Sequence, residues 1–172
     1  MGKTLRIYVI AAISAFIVVA CSSSGCLDNG SSIPLAGFYS STSGSQISLN
    51  NLEIKGVDAP NDSTLLISGT EATEVYLPMR SDRSSTKWAL IYHDEAISQY
   101  EITDTISFNY ESIPYFASEE CGAMYSYSID RLEYTTNIID SVALINRLIT
   151  NADIESIKIY FRTATAEEGD EQ

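Results

Sequence analysis

The sequence has few of the residues from which catalytic and nucleic-acid-binding sites are most often built. Its 172 residues include one histidine and one tryptophan, and 10 Lys and Arg stand against 23 Asp and Glu, which gives a net charge of −13. Phosphate binding requires clustered Lys and Arg. The charge balance therefore argues against nucleic acid as a partner, and it argues against anionic lipid as an electrostatic partner for the same reason.

Catalytic and metal-binding motifs are also lacking in the sequence. The single histidine, His93, lies at the end of a predicted strand with no GxSxG nucleophile motif to accompany it. Two carboxylates can catalyse glycoside hydrolysis, but no local signature marks such a pair. The loops at 28–30 and 58–62 carry oxygen ligands but do not match the EF-hand calcium loop, and Asx-turns explain them more simply. We expect a protein that is not an enzyme and that has no metal site and no cofactor.

The composition fits one folded domain. Hydrophobic residues make up 45% of the chain and charged residues 19%, which is not the composition of a disordered protein. A chain of roughly 150 residues buries about 70% of the surface that it exposes when unfolded, so one domain of this size has a real core. Two domains would be a tight fit for 172 residues.

The N-terminal segment has the pattern of a bacterial lipoprotein signal peptide. A short cationic stretch precedes an apolar run from Ile7 to Ala20, which ends at Cys21. The run is shorter than the roughly 20 residues that a membrane span needs, and a small residue before a cysteine suits cleavage ahead of a lipidated thiol. We predict a signal peptide at 1–20, a lipidated Cys21, and a Ser- and Gly-rich tether at 21–33.

The residues after Cys21 bear on the anchor and on the choice of membrane. An uncleaved anchor helix is the alternative, but the hydrophilic segment that begins at Ser22 disfavours it. Ser22 is also not the Asp that retains some lipoproteins in the inner membrane. Surface export is associated with an acidic cluster behind the lipidated cysteine, and only Asp28 lies in that neighbourhood. We therefore predict a lipid-anchored outer-membrane protein that faces the periplasm.

Two cysteines remain once Cys21 is lipidated. Cys26 and Cys121 form an even pair in an oxidising compartment, and one disulfide is the simplest interpretation. The chain-entropy model gives such a bond about 4.7 kcal/mol for a closed loop of about a hundred residues. The alternative is a reactive thiol or metal ligand at Cys121, which neither a CxxC motif nor a nearby histidine supports.

Short apolar runs separated by turn-forming residues predict an all-β domain over 34–163, followed by an acidic, disordered tail at 164–172. Apolar and polar residues alternate clearly at 105–110 and 157–162. The alternation slips between Ile129 and Leu132, which suggests a β-bulge. Turn signals lie at Gly44, 59–62, Gly69, Pro78 and Pro114. The predicted strands are 35–41, 46–54, 63–68, 73–77, 87–92, 105–110, 123–134 and 156–162.

The segment 137–149 has two interpretations. Four apolar residues fall at helical spacing, and Asn137 is a suitable N-cap. The alternative is a strand over 141–146 that leads through a turn into the strand at 156–162. The residues alone leave both open. The four apolar residues are Ile138, Val142, Ile145 and Ile149.

Tyrosine is the most suggestive side chain for recognition, and the chain has eleven. Tyrosine combines a flat apolar ring with a polar tip and suits both protein and carbohydrate surfaces. Strand propensity also enriches tyrosine, so packing in the core and at strand edges is the default interpretation. The tyrosines considered are Tyr92, Tyr100, Tyr110, Tyr115, Tyr125, Tyr127, Tyr134 and Tyr160.

Several features occur together along the mature chain: the lipidation motif, Cys26, the strand start at 104–106, the tripeptide at 120–122 and the closing strand at 157–161. Together they resemble a family of small uncharacterised lipoproteins of Bacteroidota. The resemblance implies a strand near the C-terminus and agrees with pairing of Cys26 with Cys121. The motifs that carry the resemblance are structural and assign no activity, and members of that family are encoded beside a predicted outer-membrane barrel, which implies an accessory role.

Three tripeptides match the pattern of O-glycosylation in Bacteroidota, an Asp followed by Ser or Thr and then by an apolar residue or Thr. They place candidate acceptors at Ser63, Thr105 and Ser141. The alternative is that each Asp starts a turn before a strand. A Ser141 buried in a strand would be unavailable to a transferase.

We therefore expect a single antiparallel β-sandwich, immunoglobulin-like in general architecture. We expect it to act without catalysis, as an accessory or interaction subunit of an outer-membrane barrel assembly that docks through a strand edge or a tyrosine face. The expected partners are the membrane, through the N-terminal lipid, and an outer-membrane protein. The alternative function is a glycan-binding lipoprotein with an exposed tyrosine face.

Overall fold

A computed structural model describes residues 32–60, 63–93, 102–119 and 121–163. These residues form ten β-strands, and they contain no helix that is long and apolar enough to cross a membrane. The strands are β1 (Leu35–Ser40), β2 (Leu52–Gly56), β3 (Thr64–Leu66), β4 (Glu74–Tyr76), β5 (Ser85–Tyr92), β6 (Ile102–Ser118), β7 (Gly122–Tyr134), β8 (Ile139–Leu144), β9 (Leu148–Ile149) and β10 (Glu155–Phe161).

The strands form two sheets that share one core. The smaller sheet has the order β4-β1-β10-β8, and the larger has the order β3-β2-β5-β6-β7-β9. The prediction of an all-β domain with a sandwich-like arrangement of two sheets is confirmed. One pairing departs from the antiparallel arrangement, because β1 pairs with β10 in parallel. The first and last strands of the described domain therefore lie side by side.

The core lies between the sheets and is built from alternate residues of their strands. In β6, Ile106 and Phe108 are fully buried, as the alternation predicts. Phe161 of the smaller sheet meets Phe38 edge to face at 5.5 Å between ring centroids, and it meets Tyr92 of the larger sheet at 6.2 Å. Full burial of side chains of this size contributes about 1.5–3 kcal/mol each.

The segment 137–149 forms strands and not a helix. Val142 of β8 lies opposite Ile159 of β10, and β9 pairs with β7. The helical spacing does not correspond to one buried face, since Ile149 is buried whereas Ile145 is 51% exposed. A helix here would remove the backbone partners that β8 supplies along one side of β10. The strand interpretation is therefore confirmed.

The bulge predicted between residues 129 and 132 is present in β7. Asn109 lies opposite Arg131 and Tyr110 lies opposite Ile129, so Asp130 is the extra residue. β2 begins at Leu52, later than predicted, because residues 46–51 make only isolated bridges.

The turn predicted at Pro114 is wrong. Pro114 lies inside β6, which continues to Ser118, eight residues beyond the predicted end of the strand at Tyr110. The turn of the hairpin comes after Ser118, where Gly122 has a φ of 70° that favours glycine. The β6–β7 hairpin is thus much longer than the sequence predicts.

Candidate functional site

β6 and β7 extend beyond the strands that flank them. β5 pairs with β6 only from Ile102 to Asn109. On the other side, β9 pairs with β7 only at Tyr127 and Ser128. We call the two-stranded extension, residues 111–118 and 122–127, the arm. No strand among the described residues pairs with the arm on its β5 side.

Tyr110 fixes the base of the arm to the domain. Its side chain is buried and meets the ring of Tyr127 edge to face at 5.3 Å between centroids. Its hydroxyl donates to the Arg80 carbonyl at 2.9 Å, and it accepts from the Arg80 N–H at 2.9 Å and from the Thr86 hydroxyl at 2.7 Å. Burial raises the pKa of the Tyr127 hydroxyl. The arm therefore leaves the domain from a position held by packing and by a fully bonded hydroxyl.

Pro114 interrupts the open edge of the arm. The N–H of Tyr110 points toward β5, because it donates to the Ser84 carbonyl at 2.9 Å. Backbone groups alternate in direction along a strand, so the nitrogen of Pro114 also lies on the open side. A proline at this position costs the β6–β7 ladder no hydrogen bond, because its nitrogen faces the open side. It leaves that open edge with one fewer N–H donor. This explains how Pro114 fits inside a strand, and it disfavours docking through the edge itself.

The arm exposes large apolar side chains. Phe116 lies on the same side of β6 as Phe108, but Phe116 is 70% exposed and Phe108 is fully buried. Tyr125, which lies opposite Pro114, is on this same face and is 39% exposed, whereas Ile113 is 38% exposed on the other face of the arm. Exposed apolar side chains that lie together on one face of a folded domain are a candidate interaction surface. The arm is therefore the candidate functional site.

The described chain begins beside the arm. Ser32 lines a cavity of about 300 Å³ together with Tyr125 and with Cys121, which lies at the turn of the arm. Cys21 and Cys26 lie outside the described residues, so lipidation and the Cys26–Cys121 disulfide stay predictions. A tether from Cys21 to Ser32 reaches at most about 40 Å at about 3.6 Å per residue. The chain thus enters the domain next to the arm.

Asp104 is a buried carboxylate that no sequence pattern marks as a functional or structural centre. Its side chain is fully buried and accepts four hydrogen bonds from residues 135–139, which run from the end of β7 to the first residue of β8. Burial alone would raise the pKa of Asp104, but these hydrogen bonds outweigh it and hold the pKa below its ordinary value. The sequence feature that indicates its burial is its position two residues before Ile106, which places Asp104 on the apolar face of β6. The donors are the Thr135 hydroxyl at 2.6 Å and the N–H groups of Asn137, Ile138 and Ile139 at 2.8, 2.8 and 2.9 Å.

The three candidate O-glycosylation acceptors lie on different elements. Ser63 is exposed before β3, and its hydroxyl donates to the Pro60 carbonyl at 2.8 Å. Thr105 lies inside β6, next to the buried Asp104. Ser141 is half-buried in β8. The fold does not bring the three together, and modification of each remains a prediction.

His93 follows the end of β5 and is exposed. Its Nε2 lies 2.8 Å from a carboxylate oxygen of Glu53. Exposed pairs of this kind contribute little to stability. In the part of the chain that the structure describes, no group of three or more His, Cys, Asp or Glu side chains is placed to hold a metal ion. Residues 28–30, 61 and 62 of the two oxygen-rich loops lie outside the described residues.

The tyrosines named above do not share one face. The core contains Tyr92, Tyr110 and Tyr127. Tyr125 and Tyr134 are exposed, Tyr115 and Tyr160 are half-buried, and Tyr100 lies outside the described residues.

One tyrosine pair lies on the outer face of the smaller sheet. The rings of Tyr39 and Tyr160 are 5.6 Å apart. The Tyr39 hydroxyl donates to Glu155 at 2.7 Å, and the Lys158 ammonium lies 4.4 Å from the centre of the Tyr39 ring. The hydrogen bond to Glu155 and the buried surroundings raise the pKa of Tyr39. The polar tip and one face of this ring are therefore already engaged within the domain.

Comparison with known proteins identifies the family and nothing further. The model of a family of unknown function, DUF6452, matches residues 51–161, so the chain belongs to that family. The match spans β2 to β10 and includes the whole arm, whereas β1 lies outside it. No curated protein and no solved structure matches the chain. Membership of a family of unknown function is thus established, while the lipoprotein character, the outer membrane and the Bacteroidota origin stay predictions.

Proposed function

We propose that this member of the DUF6452 family is a non-enzymatic, lipid-anchored protein of the outer membrane that docks an integral membrane protein through its arm. The observation that carries the proposal is the exposure of Phe116, Tyr125 and Ile113 on an extension that Tyr110 holds in place. Binding through a preformed strand pair costs less ordering entropy than binding through a loop. Aromatic side chains are also enriched at the centres of protein interfaces.

The position of the tether supports a partner in the same membrane. Ser32 and Cys121 line one cavity, so the chain that leads from the predicted lipid reaches the domain at the arm. If Cys26 pairs with Cys121, only the residues from Cys21 to Cys26 separate the lipid from the turn of the arm. That distance is at most about 18 Å. The arm would then be held close to the membrane surface, where an integral membrane protein is within reach.

The surroundings of the arm favour a protein over a lipid surface or a second copy of the chain. Glu119 is exposed at the turn, and the chain has a net charge of −13, both of which oppose approach to anionic lipid. Pro114 opposes edge-to-edge pairing of two arms. The apolar side chains of the arm remain available to a partner that packs on its faces.

The alternative, glycan binding through an exposed tyrosine face, has the Tyr39–Tyr160 pair in its favour. Stacking of a sugar needs an open aromatic face. Lys158 covers one face of Tyr39, and Glu155 holds its hydroxyl. Docking through the arm is therefore the better-supported function.

A pull-down from native membranes in mild detergent tests the proposal, with an affinity tag placed after Gln172 on the full chain. The matched variants are Phe116→Ser on the arm and Ile67→Ser outside it, because the two residues are 70% and 67% exposed. We expect the unchanged chain and Ile67→Ser to retain an integral membrane protein in stoichiometric amount, and Phe116→Ser to lose it. A solitary protein, a soluble partner, or equal retention by both variants would contradict the proposal.

A further inference from the structure

The larger sheet carries a cavity of about 580 Å³ at the place where β2 ends. β2 stops at Gly56, so the first residues of β5, from Ser85 to Lys87, lack a β2 partner. The segments 57–60 and 78–83 form the walls on either side of this gap. Gly56 lets the first wall fold close, since a Cβ there would lie 2.6 Å from the Ala59 Cβ. The volume is typical of sites for small-molecule ligands.

Cations gather in this cavity although the chain as a whole is strongly acidic. Arg80, Arg83 and Lys87 line it, which is three of the ten Lys and Arg in the sequence. Lys87 forms no ion pair with any described residue. It lies on the outer face of the sheet opposite Ser107, so its ammonium is available to a ligand in the gap.

Of the three acidic residues near the cavity, two are paired with arginines. Asp82 binds Arg80 through two hydrogen bonds of 2.9 and 3.1 Å, which hold the pKa of Asp82 below its ordinary value and fix the guanidinium. Glu133 on the far wall pairs with Arg131 at 2.7 Å. Asp58 is the remaining acidic residue of the lining. Arg83, 3.8 Å from Asp82, and the unpaired Lys87 are thus the cations with donors to spare.

Neutral polar side chains complete the lining. The hydroxyl of Ser107 and the amide of Asn109 lie on the outer face and make no hydrogen bond to any described residue. Apolar surface is supplied by Leu65 and Met79, and the single tryptophan, Trp88, also lines the cavity. Hydroxyl and amide groups beside cations suit a ligand that has several hydroxyls and at least one anionic group.

We propose that this cavity binds a small acidic sugar, whose anionic oxygens meet Lys87 and Arg83 and whose hydroxyls meet Ser107 and Asn109. The shared chemistry is an anionic group on a polyhydroxylated body, which a sugar carboxylate or a sugar phosphate can supply. The site lies apart from the arm, and the inference does not rest on the proposed function.

The single tryptophan provides the test. Intrinsic fluorescence of the full mature chain is followed during titration with digalacturonate, with glucose 6-phosphate, and with maltose as the neutral control. Isothermal titration calorimetry repeats each titration, so that a silent tryptophan does not hide binding. We expect saturable binding of one or both acidic sugars, weakened by added salt, and no binding of maltose.

Matched charge variants separate the cavity from the general charge of the protein. Lys87→Gln removes the unpaired cation, and Lys55→Gln removes a cation that pairs with Glu53 outside the cavity. We expect Lys87→Gln to weaken binding by about tenfold or more, as for loss of one charged hydrogen bond, and Lys55→Gln to leave it unchanged. Binding of digalacturonate alone identifies a carboxylate site, and binding of glucose 6-phosphate alone identifies a phosphate site. No saturable binding up to ~10 mM, equal binding of maltose, or equal weakening by both variants would overturn the inference.

Discussion

The two halves of the β6–β7 hairpin are one continuous strand pair but have opposite environments. In the first half, β5 pairs with β6, and Phe108 is fully buried in the core. In the arm, no residue of β5 pairs with β6, and Phe116 on the same side of β6 is 70% exposed. Alternation in a strand determines which side a residue faces. Whether that side is buried depends on what lies opposite, and this difference turns one hairpin into both a core element and an interaction surface.

Replacing one phenylalanine from each half should produce the largest contrast. Phe108→Ala leaves a cavity in the core and should lower the free energy of unfolding by about 3–5 kcal/mol. Phe116→Ala removes an exposed ring and should change it by no more than about 0.5 kcal/mol. Urea denaturation of both variants measures the contrast. Similar losses in the two variants would mean that the arm is packed against the domain.

In the first half of the hairpin, where β5 pairs with β6, Asp104 should be the polar residue whose replacement lowers stability most. Asp104→Asn places an amide NH₂ among donors and leaves at least one of the four donors without an acceptor, so we expect a loss of about 2–3 kcal/mol. Asp130→Asn makes the same chemical change at the exposed bulge and serves as the control. Urea denaturation again gives both values. Equal stability of the two variants would contradict the role given to the buried carboxylate.

The same residue should make unfolding depend on pH. The pKa of Asp104 is lower in the folded chain than in the unfolded one, so the folded state favours the charged form. Its contribution is complete above the ordinary carboxyl pKa and is lost as the pH falls from about 5 through the depressed pKa. The free energy of unfolding should therefore fall less steeply between about pH 5 and pH 2 in Asp104→Asn than in the unchanged chain. Parallel pH profiles for the two proteins would contradict this.

A smaller effect on stability but a clear effect on association is expected for Pro114→Val. The change restores an N–H on the open edge of the arm, and the hairpin loses no hydrogen bond. Folding stability should change by less than about 1 kcal/mol, because position 114 is exposed in the strand. Association should increase with protein concentration, which sedimentation velocity measures. A variant that associates no more than the unchanged chain would show that Pro114 does not protect the edge.

Much of the two-sheet core could be predicted from the sequence. The burial of Ile106 and Phe108 follows period-two alternation, and the slip of that alternation predicts a bulge between Ile129 and Leu132, where the structure has it. The helical spacing in 137–149 was ambiguous because apolar residues of an irregular strand pair can fall three or four apart. The strand pairing of β8 with β10 resolves it.

The arm and the buried carboxylate could not be predicted in the same way. The local sequence around Pro114 predicts a turn. In the structure its nitrogen points to the same side as the Tyr110 N–H, toward the open edge, and a proline is tolerated there. Asp104 reads as the start of a turn, whereas its burial depends on N–H groups more than thirty residues away in the chain. Both features depend on contacts between distant segments, which local patterns do not encode.

Site-specific photocrosslinking in intact cells shows which surface of the domain contacts a membrane partner. A photoreactive amino acid replaces Phe116 on the arm or Ile67 outside it, two positions of nearly equal exposure. We expect a single covalent adduct with an integral membrane protein from position 116 and none from position 67. No adduct at 116, or the same adduct from both positions, would contradict docking through the arm.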